Sequence, residues 1–438
     1  MPDAAAPPPP PGPSFAEALR FWFKLGCISF GGPAGQIAIM QTELVDRRRW
    51  IGQREFLQGL SFCTLLPGPE AQQLAIYIGW RLHGTWGGVV AGTLFVLPGA
   101  AVLLALSWLA IAQREAAPVA AIFYGLKPVV IAVIAHAVWR IGSRTLKTWQ
   151  ALALAVAAFV AIYFAGVDFP WIVVAAGAIG WFAGWSGHSP FAAGGHGPAA
   201  EEAAVEAGPM ARPGLGRTAI LATLFAVLWA LPVGATILAW GGPFPDIAEL
   251  FTKAAFVTFG GAYAVLPYVA EAAVSDYAWL SPGDMLNGLA LAETTPGPLI
   301  LVLQYVGFFA GWNNPVAALG PGGTAVAAAA LTTYVTFLPS FLFILAGAPY
   351  IVGLHENRAI GGALGAITAA VVGVILNLGV FLASAVFLPA PGRADWVAIV
   401  AAIVAFIALH HYKLAIHWLV IAGARAGLGY GALFGLPE

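Results

Sequence analysis

Apolar residues fill this chain in segments of two lengths. In the first half, segments at about 15–30, 33–46, 54–66 and 69–82 are each too short to cross a bilayer, since a transmembrane helix needs about 20 residues. Segments at about 87–112, 119–141, 149–165 and 170–186 read as ordinary spans. The short segments meet in pairs around Gly31, Gly32 and Pro33 and around Pro67, Gly68 and Pro69, which predicts two broken helices or two re-entrant hairpins. The alternating strands of a membrane barrel are absent from the pattern, so the fold class is an all-α polytopic membrane protein.

The second half repeats the first. Residues 24–69 and 253–298 align without a gap at an offset of 229, with 12 of 46 positions identical. The identities pair Lys24 with Lys253, Phe30, Gly31 and Gly32 with Phe259, Gly260 and Gly261, Trp50 with Trp279, Gly59 and Leu60 with Gly288 and Leu289, and Pro67, Gly68 and Pro69 with Pro296, Gly297 and Pro298. Further on the offset becomes about 241, matching Leu97 and Pro98 with Leu338 and Pro339, Val133 with Val374, and His136 with Asn377. A longer Gly- and Pro-rich loop around 313–324 explains the change. Each half is one copy of an ancestral unit.

Between the halves lies a polar linker, 187–217, followed by one unpaired apolar span, 218–240. One extra crossing reverses everything downstream, so the two units are expected to be inverted repeats. The domain plan is a Pro-rich tail at 1–13 with no signal-peptide pattern, an N-terminal unit at 14–186, the linker, the connecting helix at 218–240 and an inverted C-terminal unit at 241–438. With hairpins and a cytoplasmic N-terminus, Arg47, Arg48, Arg49, Arg54, Arg81, Arg140, Arg144, Lys147, Arg212, Arg217, Arg358 and Lys413 all fall on the cytoplasmic side. This asymmetry favours hairpins over crossing helices and puts the C-terminus on the opposite side.

Composition agrees with the pattern. The chain is 60% hydrophobic and 9% charged, with a mean hydropathy of +0.85, whereas soluble domains carry about 25% charged residues. A net charge of -1 provides no basic field for nucleic acid. Cys27 and Cys63 sit in apolar segments and read as small core residues. His410, His411 and His417 lack accompanying Cys or carboxylate ligands, so no metal site is expected. Nucleotide-binding and hydrolytic motifs are absent, so the chain reads as neither an enzyme nor a cofactor-dependent protein.

Glycines and prolines that interrupt apolar segments at matching places in two halves point to a transporter's binding site. The alternative is packing or kinking alone. Helices starting after Gly32, Gly68, Gly261 and Gly297 aim free amides into the breaks, each with about half a positive charge, nominally about +2 in all. The candidate substrate-binding residues are Lys24, Gly31, Gly32, Gln36, Pro67, Gly68, Pro69, Gln72, Gln73, Lys253, Gly260, Gly261, Tyr263, Thr294, Thr295 and Gly297. Lys24 and Lys253 either meet the anion or snorkel to the interface from short helices. Glu70, Glu293 and His136 are the candidates for proton coupling, against a purely structural role for each.

FGGPAGQIAIM at 30–40, LLPGPEAQQLAIYIGW at 65–80, GTLFVLPG at 92–99, FGGAYAVLPYV at 259–269 and AETTPGPL at 292–299 closely resemble the chromate ion transporter family in its long, two-unit form. The resemblance covers both halves. It implies a secondary carrier of the bacterial cytoplasmic membrane that exports chromate, is driven by the proton motive force, and confers chromate resistance. Sulfate or another tetrahedral oxyanion is the nearest rival substrate, and an uncoupled anion channel the rival mechanism. The expected partners are chromate or sulfate, the lipid bilayer and, as one option, a second copy of the chain.

Overall fold

A computed structural model describes residues 12–30, 32–114, 116–186, 190–191, 215–347, 358–390 and 392–435. Most of the Pro-rich tail and of the linker, Arg212, and Gly31 of the candidate site lie outside the described residues. Those described form sixteen α-helices and no strand. In the first half these are α1 (Phe15–Ile28), α2 (Gly32–Met40), α3 (Gln53–Leu65), α4 (Glu70–Ala112), α5 (Ala117–Thr145), α6 (Trp149–Ala165) and α7 (Phe169–Trp185). After α8 (Leu215–Trp240) come α9 (Phe244–Val257), α10 (Ala262–Glu271), α11 (Pro282–Thr294), α12 (Val302–Asn313), α13 (Gly320–Gly347), α14 (Arg358–Phe387), α15 (Trp396–His410) and α16 (Ile416–Phe434).

The repeat is visible element by element. α1, α2 and α3 match α9, α10 and α11, and π-helical turns at Gln41–Arg47 and Ala272–Asp276 extend α2 and α10 at corresponding places. α8 has no counterpart, as expected of a connecting helix. α4 corresponds to two helices: it kinks at His83 and Gly84, where Gly84 has φ +63°, and the second half opens a connection at 314–319 between α12 and α13. The expected longer loop is that opening. Five helices are long and apolar enough to cross a bilayer, namely α4, α5, α8, α13 and α14. α6 and α7 have 17 residues each, at the lower limit of about 17 for a crossing rather than ordinary spans.

Past the Pro-Gly-Pro turns the register changes by one residue. A Cβ on Gly59 would strike the Tyr77 ring, and one on Gly288 would strike Tyr305, so Tyr305 is the counterpart of Tyr77 at an offset of 228, not 229. The second half absorbs the missing residue by starting with a 3₁₀ turn, Leu299–Leu301. Three 3₁₀ residues rise about 6 Å, as do four α-helical ones. The matched Gly59 and Gly288 are therefore seats for aromatic rings.

The halves hold each other by exchanging their last two helices. α6 and α7 pack on α14, while α15 and α16 pack on α5. Small residues allow the close approach: a Cβ on Gly180 would meet the Gly362 carbonyl, one on Gly427 the Ala121 carbonyl, and one on Gly373 the Ala155 carbonyl. The result is an outer module of α5–α7 and α14–α16 beside an inner core in which α4 packs on α13, α1 on α4, and α9 on α13. Cys63 is buried in this core, but Cys27 lies on the outward side of α1, so only one of the two cysteines is a core residue.

Replacing Gly180 by Val is expected to lower the melting temperature of the detergent-solubilised protein, an overpacking cost of about 1–3 kcal/mol. Gly234→Ala on α8, where a Cβ meets nothing within 4 Å, is expected to leave it unchanged or raise it.

Candidate functional site at the helix breaks

The two Pro-Gly-Pro turns lie against the opposite unit's Phe-Gly-Gly breaks. Gly297 N–H donates to the Ser29 carbonyl at 2.9 Å, and Gly68 N–H donates to the Thr258 carbonyl at 2.8 Å. Ser29 and Thr258 are matched by the repeat, as are Gly68 and Gly297, so the contact is reciprocal and defines a two-fold relation between the units. The turns require glycine: Gly68 has φ +118° and Gly297 has φ +98°. Behind them sit the residues that follow Pro98 and Pro339. A Cβ on Gly99 would strike the Pro296 carbonyl, and Ser340 Oγ lies 3.0 Å from a Cβ placed on Gly68.

Each break joins the carbonyl end of one helix to the amide start of the next, so the dipoles nominally cancel. The side chains remove that balance. Ser29 Oγ donates to the Leu25 carbonyl at 2.6 Å and Thr258 Oγ1 to the Ala254 carbonyl at 2.5 Å. At the other two breaks Thr64 Oγ1 donates to the Ser61 carbonyl at 2.7 Å and Thr295 Oγ1 to the Leu291 carbonyl at 2.6 Å. All four helix ends thus have hydroxyl-blunted carbonyls. The helix starts after Pro69, Gly261 and Pro298 have no side-chain cap. The uncapped amides at these starts are donors of the kind an anion takes, beside the unpaired amide oxygens of Gln36, Gln72 and Gln73.

Three fully buried glutamines brace this centre. Gln36 Nε2 donates to the Gly297 carbonyl at 2.6 Å and the Ser29 carbonyl at 3.2 Å. Gln73 Nε2 donates to the Pro67 carbonyl at 2.7 Å. Both amide atoms of Gln72 are without a hydrogen-bond partner. Gln72 reaches into a cavity of about 670 Å³ between α4, α8, α12 and α13, whose walls are otherwise mostly apolar. There Gln304 is already satisfied by the Ala100 carbonyl and Thr333 Oγ1.

The remaining candidates separate into those the fold brings together and those it does not. Tyr263 Oη donates to Glu293 Oε1 across α10 and α11, and Arg140 of α5 acts electrostatically on both. Glu70 opens α4 directly after the break, half-buried and without an ion pair or hydrogen bond among the described residues. Thr294 and Thr295 point their hydroxyl protons back into α11. Gly32, Gly260 and Gly261 all adopt positive φ at the breaks.

Lys24 and Lys253 are not brought to the breaks. The buried stripe of α1 is Ala18, Phe21, Trp22, Leu25 and Gly26, and that of α9 is made by the matching Ile247, Leu250, Phe251, Ala254 and Ala255. A helix turning once per 3.6 residues puts both lysines on the opposite, outward side. Lys253 Nζ is paired there with Glu249 at 2.5 Å. His136 also lies apart, its ring beside Phe406 and His410 of α15.

Sequence reasoning passed over Ser29, Thr258, Ser340 and Arg140. Ser29 and Thr258 share a hydroxyl but not an identity, so scoring similarity in place of identity along the repeat reveals them. Arg140 was read for topology alone because the carboxylate whose electrostatics it influences lies on α11, far along the chain.

The model of the chromate transporter family matches residues 16–181 and 245–428. A chromate transport protein of Pseudomonas aeruginosa is 32% identical over 437 residues, 97% of this chain and 94% of that one. A chromate transport protein of Cupriavidus metallidurans is 27% identical over 417 residues, 94% of this chain and 92% of its own. A probable chromate transport protein of Synechococcus elongatus is 26% identical over 378 residues, 85% of each. Among solved structures none matches. Two matched units, and kinship along nearly the whole length, mean that this chain belongs to the chromate transporter family.

Proposed function

We propose that the protein is a secondary carrier that exports chromate across the bacterial cytoplasmic membrane in exchange for protons, and so confers chromate resistance. The observation that carries this is the gathering of the helix breaks by the reciprocal Gly68 to Thr258 and Gly297 to Ser29 bonds, with hydroxyl-bonded carbonyls at the helix ends and no side-chain cap at the helix starts. Backbone amides and neutral glutamines recognise a tetrahedral dianion by shape and charge. Sulfate shares both properties and is the natural competitor.

Two inverted units, 14–186 and 241–438, joined by the helix at 218–240, would give alternating access by moving one body against another around this fixed centre. The cytoplasmic N-terminus follows from the arginine asymmetry. Glu70 and Glu293, one carboxylate per unit beside the Pro-Gly-Pro turns, are the groups through which the proton gradient acts. The His136 ring packs beside Phe406 and His410 of α15, so the two carboxylates are the stronger candidates.

Uptake into everted vesicles is expected to be saturable, competed by sulfate and abolished by an uncoupler; equilibration that ignores the uncoupler would identify a channel. Glu70→Gln or Glu293→Gln is expected to leave chromate exchange intact while removing uncoupler sensitivity, measured in the same vesicles. Thr258→Val exposes the Ala254 carbonyl to the break and is expected to raise the KM for chromate about tenfold, equivalent to about 1.4 kcal/mol. An unchanged KM in Thr258→Val and Ser29→Ala together would remove the hydroxyls from the account.

A further inference from the structure

The outer module does not sit evenly between the two units. α14 packs along α10, while α5, α14 and α16 all pack on α11. The repeat places the matching contacts between α5 and α2 and between α3 and each of α14, α5 and α7. None of those pairs makes a comparable contact. Burial divides the same way: Ala262, Ala264, Val265, Leu266, Val269 and Ala270 of α10 are buried, whereas α2 buries only Gln36 and Met40. On the covered side Tyr263 is latched to Glu293. Their counterparts in the first unit, Ala34 and Thr64, offer no such bond to each other.

A molecule built from inverted repeats but arranged unequally has a second arrangement in which the units trade roles. The trade can be followed residue by residue. On the covered side Thr368 of α14 adjoins the break: a Cβ on Gly260 would lie 3.8 Å from Thr368 Cγ2 and 3.9 Å from Oγ1. The offset of 241 that aligns Val133 with Val374 and His136 with Asn377 aligns Lys127 with Thr368. Exchanging the units therefore carries Lys127 of α5 to the break before α2.

Lys127 is an unusual residue to find there. It is a cation inside an apolar span, half-buried, with no hydrogen bond or ion pair among the described residues. Its Nζ is 3.4 Å from a Cβ placed on Gly283, in the first turn of α11, where Asp284 supplies an opposing charge without a direct ion pair. A cation held in hydrocarbon is costly and requires an anion in at least one state. The uncovered face of α2 is where the exchanged arrangement delivers it.

We propose that Lys127 is the substrate-binding cation of the alternate conformation: the outer module moves from α10 and α11 onto α2 and α3, and Lys127 pairs there with the tetrahedral oxyanion. Thr368 leaves Gly260 in the same movement, so each access state has its own unequal lining at one break. The proposal rests on the carrier reading above and adds the residue that reads the anion's charge.

Cysteine pairs test the movement without relying on transport. In a Cys27→Ser, Cys63→Ala background, Phe259→Cys with Thr368→Cys is expected to cross-link through a short bis-methanethiosulfonate in the resting protein. Phe30→Cys with Phe123→Cys, one turn before Lys127 on the same face of α5, is expected to cross-link as the alternate state forms, and the Phe259 and Thr368 pair to decline correspondingly, when chromate is added. Separately, Lys127→Gln is expected to raise the KM for chromate about tenfold or more while Lys127→Arg stays within about threefold, with melting temperatures unchanged. A Phe30 and Phe123 pair that never cross-links, with chromate or with sulfate, overturns the movement. A Lys127→Gln carrier of unaltered KM overturns the assigned role. If the wild-type protein carries sulfate and not chromate, the substrate reading falls, and the same two measurements made with sulfate decide the inference.

Discussion

A polypeptide interrupted inside hydrocarbon must pair its freed N–H and C=O groups within the protein, and everything distinctive in this molecule follows from how that is done. The breaks are not closed by their own unit alone. The Gly68 and Gly297 amides are spent on the Thr258 and Ser29 carbonyls of the other unit, and Gln36 reaches Gly297 from across the same boundary. Neither unit can satisfy its own interruptions, so the centre exists only where the two meet. The hydroxyls of Ser29, Thr64, Thr258 and Thr295 each occupy a carbonyl of the helix that ends there, while the helix starts after Pro69, Gly261 and Pro298 carry no side-chain cap.

Around this centre the two units have diverged where the outer module touches them. Val265 stands where the first unit has Gln36, and Tyr263 and Glu293 stand where it has Ala34 and Thr64. One unit braces the central turns through a side-chain amide, and the other latches its short helices to each other beside Arg140. The exchange of terminal helices couples these differences. α6 and α7 are carried by α14, and α15 and α16 by α5, so the outer module is built jointly from both units.

The helical class, the duplication, the unmatched connecting helix and the breaks were all legible in the chain, because each depends on local composition: apolar length, and glycine or proline at a fixed spacing. The functional weight placed on Lys24 and Lys253 came from their identity in the repeat, but the stripe of Phe21, Trp22 and Leu25 and its copy Leu250, Phe251 and Ala254 turns both lysines outward. Past the Pro-Gly-Pro turns the offset falls from 229 to 228, which the repeat's identities do not reveal. Sequence counts residues, whereas the fold conserves length, and a 3₁₀ turn at Leu299–Leu301 covers in three residues what α-helix covers in four.

By itself the sequence determined that this is a two-unit helical membrane protein of the chromate transporter family with interruptions at matching places, since hydrophobic length and turn chemistry are properties of neighbouring residues. Only the tertiary structure decided which groups close those interruptions and which remain open, that Tyr263 bonds to Glu293, and that the outer module rests mainly on the second unit. Those facts depend on partners more than a hundred residues apart along the chain, such as Ser29 with Gly297 and Gly68 with Thr258. No local pattern encodes such a pairing, because it is chosen by the packing of whole helices and by the cost of leaving a backbone group unpaired in the membrane.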